Sequence, residues 1–550
     1  MIVIDKYAEY AVKTSGNVVE ICKIVIYKWK GRMILENLNK YVLAMYDVRG
    51  KQDFIFRSKH IKEIIGASAM ISEIFEDYLY EAAIEYRNQC CDMGKSEAII
   101  RSDDRKFTPK DFCDSMEETK QYVGQVVYDG GGNFFVLYKN KEIYRQINKI
   151  FSKKVLEETY SLKVISAYIE GVDFDDFKED RKKLYEIHRK IEAVETPYIP
   201  ALVLPFTQVD YATSMPLYKT KKIAGEEKKL TRESYQKYKK FEEIKKRGKT
   251  EDVLDEKILD NLVTEKGRES LLAIIYIDGN NMGAKVKDCL EKVSNYEDCV
   301  RELRKLSSDI QRIFIDERKK AIDEALKKKY NDERKRRFVV QAGDEINFIC
   351  NARDAYTIVK EYFRDLPEEY SACAGISIFH SHTPYSDAYR IAEECCESGK
   401  KKMKRLGIQE ANLIDVQYCQ AGIEIDLETI RKREVGDLIS KPWFVKKYDV
   451  ENMNEDCFTL DMVEKLADQL NKMARSNVKA LAEYIRKDLT TLKMELKRID
   501  AHSDKEKNVN LNLEDEYGNT LLDDEKMQKL LYDVVILYDL WFREEGNKNG

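Results

Sequence analysis

The segment from Phe338 to Cys350 constrains the fold more than any other part of this chain. Two apolar runs flank its centre, Gln341-Ala-Gly-Asp-Glu345, which has a glycine where the backbone must turn. This pattern predicts a tight β-hairpin whose tip carries the carboxylates of Asp344 and Glu345. Acids at a hairpin tip serve either to solvate the turn or to bind a metal ion.

A second apolar strand, Leu271–Ile277, ends directly before Asp278. If this strand and the hairpin are neighbours in one sheet, the carboxylates of Asp278 and Asp344 converge. Convergent carboxylates in a cleft suit Mg²⁺, which prefers hard oxygen ligands. We therefore predict that Asp278, Asp344 and Glu345 are metal ligands and catalytic residues, helped by the carbonyl of Gly279.

The order of elements after this strand indicates a known arrangement. Apolar periodicity predicts, in turn, a helix, the hairpin, a helix, a strand, a helix and a strand, over 293–329, 337–350, 353–366, 371–378, 386–397 and 411–416. A βαββαβ order is that of the ferredoxin-like fold.

The N-terminal part of the chain repeats this order. We predict a strand, a helix, a hairpin, a helix, a strand and a helix over 41–48, 58–88, 124–138, 141–159, 162–170 and 175–193. When the two hairpins are superposed by their strands, Gly132 and Asn133 fall at the positions of Asp344 and Glu345. The first copy therefore keeps the turn and loses the acids.

Three glycines, Gly130, Gly131 and Gly132, leave the tip of the first hairpin without side chains. The phosphates or the base of a ligand could then lie against backbone N–H groups, although a plain turn is the commoner use of such a run. We interpret this tip as a nucleotide-binding surface.

These patterns predict an α+β fold with two ferredoxin-like (βαββαβ) domains, a charged helical linker between them and a helical C-terminal domain. The predicted bounds are 1–215, 216–266, 267–425 and 426–550. Basic clusters in the linker lie among many glutamates, so we interpret them as a solvated helix face.

Composition limits the cellular setting. The net charge of −5 argues against a bulk polyanion binder. A membrane span needs about 20 apolar residues, far more than the run at Leu271–Ile277 provides. An acid at Asp5 comes too early for a secretion signal. We predict a cytoplasmic protein without a membrane anchor.

The cysteines and histidines exclude two classes of site. Twelve cysteines include the adjacent pairs Cys90-Cys91 and Cys395-Cys396, but none has C-x-x-C spacing. We therefore predict no zinc site and no disulfide framework. The five histidines form no His-Asp doublet, which disfavours a phosphohydrolase built on such pairs.

The motifs together resemble a known family. Asp278-Gly-Asn-Asn-Met-Gly, Ala342-Gly-Asp-Glu and the helix Tyr385–Lys402 are similar to the second palm domain of the large polymerase-like subunit of type III CRISPR effector complexes. The GGDEF diguanylate cyclases are more distant relatives. Both ferredoxin-like domains are palm domains under this resemblance, which covers about residues 40–430.

The N-terminal part resembles the first palm domain of the same subunit. The motifs that carry this similarity are Gln52-Asp-Phe-Ile-Phe-Arg57, Gly66-Ala-Ser68 and Gly130-Gly-Gly-Asn-Phe134. The helical C-terminal part fits the same subunit but carries no distinctive motif.

The resemblance implies an enzyme of antiviral defence. Such subunits convert ATP into second messengers, usually cyclic oligoadenylates, after target RNA is bound, and some relatives join AMP to S-adenosylmethionine. One ATP sits on each palm, and catalysis by nucleotidyl transfer uses Mg²⁺ or Mn²⁺ at the acidic palm. Other subunits of a guide-RNA complex are the implied partners, and RNA is contacted mainly through that complex.

We expect nucleotide contacts from residues around both hairpin tips, namely Gly279, Asn280, Gly343, Lys400, Gly130, Gly131, Gly132, Ser68 and Asp47. Lys400 matches a lysine that contacts phosphates in palm cyclases, although cations at a helix C-terminus are favoured anyway. Ser68 could instead serve close helix packing. Asp47 ends its strand as Asp278 does, and could hold a ribose or the amine of a second substrate.

Three departures from the family pattern affect the expected activity. The chain lacks the length and the His-Asp doublet for an N-terminal HD nuclease, so we expect no DNA cleavage. The segment 206–216 lacks the zinc-binding cysteines found there in the family. Asn280 replaces an acid and Glu345 replaces an aspartate, which puts the product in doubt more than the fold.

Three functions are therefore compatible with the sequence. The first is a palm nucleotidyltransferase inside an RNA-guided complex. The second is a non-catalytic nucleotide sensor or scaffold, which Asn280 favours and the three retained acids disfavour. The third is a stand-alone palm cyclase.

Overall fold

The computed structural model describes most of the chain from residue 41 to residue 543. The described residues are 41–58, 60–91, 93–101, 121–130, 132–194, 206–211, 213–223, 225–247, 259, 261–265, 269–330, 336–419, 426–434, 436–446, 457–502 and 522–543.

The described strands form three sheets. They are β1 (Val42–Arg49), β2 (Ile99–Ile100), β3 (Gly124–Gly130), β4 (Asn133–Tyr138), β5 (Lys163–Glu170), β6 (Leu217–Ile223), β7 (Glu226–Thr231), β8 (Leu271–Gly279), β9 (Arg336–Ala342), β10 (Glu345–Asn351), β11 (Ala372–His380), β12 (Leu413–Tyr418) and β13 (Trp443–Phe444).

Helices fill most of the remainder, and α2, α8 and α16 each continue into a π-helical turn. The helices are α1 (Lys51–Phe56), α2 (Ile61–Glu73), α3 (Tyr80–Cys90), α4 (Lys141–Thr159), α5 (Phe177–Ala193), α6 (Arg232–Arg247), α7 (Met282–Glu291), α8 (Tyr296–Ile310), α9 (Glu317–Tyr330), α10 (Ala355–Arg364), α11 (Tyr385–Leu406), α12 (Leu427–Glu434), α13 (Leu460–Asn471), α14 (Arg475–Ile485), α15 (Leu489–His502) and α16 (Asp524–Leu537).

The chain divides into two compact units. The first contains the described residues of 41–51, 71–202 and 288–306, and the second contains those of 52–70, 203–287 and 307–550. Both combine helices with mixed sheets, so the predicted α+β class is confirmed.

The first unit is built on a five-stranded sheet in the order β2-β3-β4-β1-β5. Helix α4 begins at the N-cap Asn140, whose side chain accepts a hydrogen bond from the Ile143 amide at 2.9 Å. Its apolar stripe is buried, and the ring of Phe151 meets the ring of Tyr46 on β1 edge-on. This helix has the bounds that apolar periodicity predicts.

The second unit is built on a six-stranded sheet in the order β13-β12-β11-β8-β10-β9. Strand β8 pairs antiparallel with β10 and with β11, while β11 and β12 run parallel and are joined by α11. Apolar residues fill β8 and β11 on both faces because helices cover both sides of this sheet.

The two sheets share a strand order and a local irregularity. In each, the four strands of the repeated unit lie in the order fourth, first, third, second. Each hairpin closes with two turn residues, between Gly130 and Asn133 and between Ala342 and Glu345. Each hairpin also has a β-bulge at the same distance from its tip. The bulge residue is Val127 in the first unit and Val339 in the second.

The predicted helical linker is wrong over its first part, residues 217–231. The described part begins with the two-stranded sheet β6–β7, and only α6 is helical. The three lysines of β6 favour the interpretation as a charged helix, because charge dominates the pattern there. Gly225, with φ of 90°, instead permits a hairpin turn.

Within the described residues, no helix combines the length and the apolarity that crossing a membrane would require.

The helix that carries Lys400 is longer than predicted. The sequence predicts that it stops at 397, whereas α11 continues to Leu406 and ends at Gly407, which has the left-handed conformation. Lys400 therefore lies inside α11.

Candidate active site

The ends of β8 and β10 bring two acids side by side. Asp278 and Glu345 are direct partners in the antiparallel register. Directly opposed residues on antiparallel strands point to the same face of the sheet, so both side chains lie on the face covered by α11. Asp344 occupies the turn just before Glu345, after Gly343 with φ of 62°.

The carboxylate of Asp344 returns toward the end of β8. A Cβ placed on Gly279 would lie 2.8 Å from Oδ2 of Asp344, closer than real Cβ contacts come. Any side chain at residue 279 would require the side chains of Met282 and Asp344 to shift. The structure thus brings Asp278 and Asp344 together, as their positions after neighbouring strands predict.

Burial and charge repulsion both act on Asp344. Burial of the carboxyl and the nearby carboxylate of Asp278 raise its pKa from 3.8 to about 6, although the ammonium of Lys400 opposes the shift. The negative charge of Asp344 is therefore disfavoured, first by burial and then by the neighbouring carboxylate of Asp278. A bound cation is the simplest way to relieve such repulsion.

Lys400 supplies the one cation of the described residues that forms an ion pair with Asp278. It comes from α11, and its Nζ donates to Oδ2 of Asp278. Burial works against the charged lysine, but the carboxylate outweighs it, so the pKa of Lys400 is raised. An amine held in this way stays protonated at neutral pH.

Glu345 lies over an aromatic layer between the sheet and α11. Burial, followed by the charges of Glu345 and Asp278, raises the pKa of the Tyr276 hydroxyl. The ring of Tyr276 meets that of Tyr389 edge-on, and the ring of Phe56 stacks on Tyr389. These rings shield the acids from water on one side, which strengthens the electrostatic interactions there.

Asn280 has a different place from the one that sequence reasoning gave it. Its side chain is 4% exposed, and Nδ2 donates to Oγ of Ser371 and to the carbonyl of Ala411, both at 2.9 Å. The amide thus ties the turn to the start of β11 and to the approach of β12. Asn280 therefore holds the turn against its neighbours in the second unit.

Sequence reasoning missed Glu393. It lies one turn after Tyr389 and two turns before Lys400 on α11, so it shares their face. Burial, then Glu397 and Glu394, and then Asp278 raise its pKa from 4.5 to about 7. The spacing of 389, 393 and 400 on one helix was the available signal.

The first unit has the same strand pairing at this position but carries different side chains. Asp47 pairs with Asn133 in the register that Asp278 and Glu345 have in the second unit. Its Oδ2 lies 3.0 Å from Nε2 of His188 on α5 and 3.2 Å from Nε of Arg49. Asp47 is therefore already engaged by basic groups of its own unit.

The tip of the first hairpin is cationic instead of acidic. Gly132 has φ of 79°, and a Cβ on it would collide with Nζ of Lys51. An ammonium therefore occupies the place that Asp344 has in the second unit. Burial and the charge of Glu76 raise the pKa of nearby Asp129 to about 6, while Lys51 lowers it. Gly131 lies outside the described residues, and Gly130 ends β3.

Ser68 and Gly66 contribute to packing in the second unit. Oγ of Ser68 donates to the carbonyl of Val339, the bulge residue of the acidic hairpin, at 2.6 Å. The matching bulge carbonyl of Val127 in the first unit accepts from Nε of Arg304 at 2.7 Å. The structure therefore brings Ser68 to the side of the hairpin, four residues before its tip at Gly343. Gly66 lets α2 touch the backbone of α6.

The two aspartates fit a divalent cation that a substrate helps to bind. Within the described residues, no group of three or more His, Cys, Asp or Glu side chains forms a ready metal cage. Mg²⁺ does not need one, because it is usually held by one or two carboxylates plus substrate phosphates. Asp278 and Asp344 meet that requirement, because the carboxyl of Asp344 lies beside the end of β8, next to Asp278.

This repulsion gives a testable dependence of stability on pH. The folded pKa of Asp344, about 6, exceeds its ordinary 3.8, so folding favours the protonated acid and stability falls as pH rises through this window. The Asp344→Asn variant should unfold at higher temperature than the wild type at about pH 8, and the difference should vanish below about pH 4. Adding Mg²⁺ at about pH 8 should stabilise only the wild type.

Thermal unfolding followed by circular dichroism would measure both effects. Asp461→Asn is the control, because the side chain of Asp461 is 68% exposed on α13 and the change should leave the pH profile as it is. An Asp344→Asn protein that is less stable than the wild type at every pH would contradict the inferred repulsion.

No family model matches the sequence, and no curated protein matches it. Solved structures do match. Csm1 of T. onnurineus has 13% identity and a TM-score of 0.47, over 92% of this chain and 70% of that chain. The apo Csm1–Csm4 cassette has 12% identity and a TM-score of 0.46, over 91% and 70%.

A further match is the Csm1–Csm4 cassette in complex with one ATP, at 15% identity and a TM-score of 0.41. The alignment covers 68% of this chain and 54% of that chain, and it covers 53% of the cassette chain in complex with AMPPNP. This chain thus spans about half the length of those two. Csm1 is a palm-domain subunit of type III CRISPR systems, the class of protein that the sequence motifs resemble.

Proposed function

We propose that this chain is a palm-type nucleotidyltransferase that converts ATP into a signalling nucleotide within an RNA-guided effector complex. The two sheets with their shared strand order are, in this interpretation, two ferredoxin-like palm domains. The observation that carries the proposal is the convergence of Asp278 and Asp344 beside Lys400 on a hairpin repeated elsewhere without its acids. Other subunits of the complex are the proposed partners, with RNA held mainly through them.

Asp278 and Asp344 would hold Mg²⁺ or Mn²⁺, with the carbonyl of Gly279 beside them. When bound, such an ion activates a ribose 3′-hydroxyl and neutralises departing pyrophosphate. In the reaction, the 3′-oxygen forms a bond to the α-phosphorus of ATP while the bond to pyrophosphate breaks. We assign Glu345, opposite Asp278, to accept the hydroxyl proton.

Lys400 has two tasks in this proposal. It holds the carboxylate of Asp278 in one orientation, and its ammonium faces the position where the triphosphate would lie. The raised pKa of Lys400 keeps that charge in place throughout the reaction. Gly343 and Gly279 contribute backbone close to the substrate, since neither presents a side chain.

The first palm is proposed to bind the second ATP without catalysis. The ammonium of Lys51 at the hairpin tip suits phosphate oxygens and would repel a metal ion. Gly130, Gly131 and Gly132 are the proposed backbone surface for the ligand. Asp47, engaged by His188 and Arg49, would orient those groups toward a ribose or a second substrate.

A change that removes the charge of Lys51 tests this assignment. In the Asp344→Asn background, Lys51→Met should weaken the binding of ATP by about 10- to 100-fold, because a charge-assisted hydrogen bond contributes about 1.5–3 kcal/mol. Isothermal titration calorimetry would measure it. Lys153→Met is the control, since Lys153 on α4 is 75% exposed. Equal affinity of all three proteins would remove Lys51 from the site.

A nucleotide sensor or scaffold is the second candidate. Asn280 favours it, because an amide buried among Ser371 and Ala411 adds no charge to the acid pair. A stand-alone cyclase is the third, and the sequence does not disfavour it.

Product analysis separates these functions. Purified protein should be incubated with Mg²⁺ or Mn²⁺ and ATP, with and without S-adenosylmethionine and a target-bound guide complex, and the products identified by mass. We expect a new adenylate product that depends on the complex. Inert protein under every condition would favour the sensor, and activity without any complex would favour the stand-alone cyclase. The same assay distinguishes cyclic oligoadenylates from an AMP–adenosylmethionine conjugate.

A further inference from the structure

The bulge of the acidic hairpin lies between the root of the hairpin and its carboxylates. Val339 lies between the paired residues Phe338 and Val340 and is the extra residue of β9. A β-bulge bends its strand and increases the local twist, and bulges beside active sites commonly redirect a side chain. The bend comes five residues before Asp344, so it influences the direction in which the tip approaches the end of β8.

The carbonyl of Val339 is held from outside the sheet. In the described sheet, β9 is the last strand in the order, so no further strand borders its outer side. Oγ of Ser68 on α2 donates to this carbonyl at 2.6 Å. Val339 is 6% exposed, and a buried carbonyl that loses its donor is costly. The hydroxyl therefore supplies a bond that a neighbouring strand would supply elsewhere in a sheet.

The helix that carries Ser68 is itself closely packed. A Cβ on Gly66 would collide with the carbonyl of Lys237 on α6 and would lie 3.2 Å from the amide of Phe241. Ile65 and Phe241 also belong to one buried apolar cluster. Within one turn of the serine, α2 is thus held against α6, and the hydroxyl reaches the bulge from a fixed support.

The other strand of the hairpin is anchored independently. Asn347 on β10 is fully buried, and its Nδ2 donates to the carbonyl of Ile275 on β8 at 3.0 Å. The hydroxyl of Tyr385 on α11 donates to Oδ1 of the same asparagine at 2.6 Å. Because β10 is tied to both β8 and α11, the bulge on β9 is the part of the hairpin that remains to be fixed.

Different chemistry holds the same point of the first hairpin. There the guanidinium of Arg304 donates from Nε to the carbonyl of the bulge residue Val127 and from Nη2 to that of Val126, both at 2.7 Å. A hydroxyl in one unit and a guanidinium in the other thus satisfy the matching carbonyl. A donor at this position is a repeated feature of the bulged hairpin, and of the two hairpins the one in the second unit ends in acids.

We propose that Ser68 is a positioning residue for nucleotidyl transfer, acting through the bulge carbonyl of Val339 to keep the carboxylate of Asp344 beside Asp278. This inference rests on the proposed function of the acid pair. The hydroxyl fixes the bend of β9, and the bend directs the tip, whose carboxylate lies against Gly279. In this role the serine acts through the hairpin backbone and needs no contact with the substrate.

Ser68→Ala in the full chain tests the proposal by its effect on the rate. With the activating complex present, kcat for product formation from ATP should fall about 10- to 100-fold, because a displacement of about 1 Å in a catalytic group costs that much. The KM for ATP should stay within about 2-fold of the wild-type value, since the groups that bind the nucleotide are unchanged.

A second measurement does not depend on turnover. The dissociation constant for Mn²⁺ alone, obtained from the electron paramagnetic resonance signal of the free ion, should rise about 10-fold in Ser68→Ala, as expected when a residue that orients metal ligands is removed. Ser68→Thr keeps the hydroxyl and should restore both the rate and the affinity for Mn²⁺. Ser72→Ala is the matched control, because Ser72 is an exposed serine on the same helix and its loss should change neither quantity.

Several results would overturn the positioning role. A Ser68→Ala protein that unfolds earlier but keeps the wild-type kcat and the wild-type affinity for Mn²⁺ would show that the hydroxyl serves packing alone. Equal losses in Ser72→Ala would also contradict the proposal. If the wild type forms no product, the proposed function fails, and the Mn²⁺ comparison then decides the positioning role by itself. Wild-type protein that neither forms product nor binds Mn²⁺ would overturn both.

Discussion

Asp344→Asn is expected to lower the rate of nucleotidyl transfer by about 10³-fold or more, with the fold intact. The variant keeps the shape of the side chain and removes the charge that would hold the divalent cation. Loss of a metal's charge stabilisation costs several kcal/mol of the barrier, and each 1.36 kcal/mol is tenfold in rate. The measurement is initial product formation from ATP by quantitative mass spectrometry, with the activating complex present.

Two comparisons make this result specific. Asp461→Asn removes an exposed carboxylate far along the chain and should keep the wild-type rate. Because Asp344→Asn also relieves repulsion with Asp278, it should unfold no earlier than the wild type at neutral pH, which separates lost chemistry from lost structure. Undiminished activity in the variant would refute the assignment of the site.

Gly375→Ala is expected to destabilise the second unit by about 3 kcal/mol or more, and to abolish activity. Gly375 lies on β11 under α11, where a Cβ would run into the carbonyl of Ala392 and lie 2.5 Å from the amide of Cys396. Both obstacles are backbone atoms, so the helix itself must move, and overpacking of this kind is costly. Movement of α11 would also carry Lys400 away from Asp278.

Urea denaturation followed by circular dichroism measures the shift in midpoint. Gly283→Ala is the matched control, because its Cβ would meet no atom within 4 Å in helix α7. Alanine there should be neutral or stabilising by up to about 1 kcal/mol, as expected for a glycine replaced inside a helix. A Gly375→Ala protein as stable as the wild type would show that α11 does not rest on β11 so closely.

Local sequence patterns predicted the repeated elements well where each pattern had one structural meaning. Helix α4 has its expected bounds because its apolar stripe and its Asn140 cap agree. The linker prediction failed because charge patterns do not distinguish an exposed strand from an exposed helix. What identifies the β6–β7 hairpin is the pairing of its two strands in space, which the charges of residues 217–231 do not reveal.

Some features of the candidate site could likewise be predicted from the sequence, and others could not. The proximity of Asp278 and Asp344 could be predicted because Asp278 ends an apolar strand and Asp344 lies at the tip of a hairpin in the same sheet. The anchoring of Asn280 by Ser371 and Ala411 could not, since those partners are more than 90 residues away. Lys51 at the first hairpin tip was equally hidden, because its ammonium reaches Gly132 only in three dimensions.

The sequence by itself determined the order of strands and helices, their duplication and the position of the acids. These features depend on periodicity and on residues adjacent in the chain. The electrostatics of the acid pair and the ammonium that replaces an acid in the first unit were decided by the tertiary structure. Burial and distance between remote residues set those properties, and both arise only when the chain has folded.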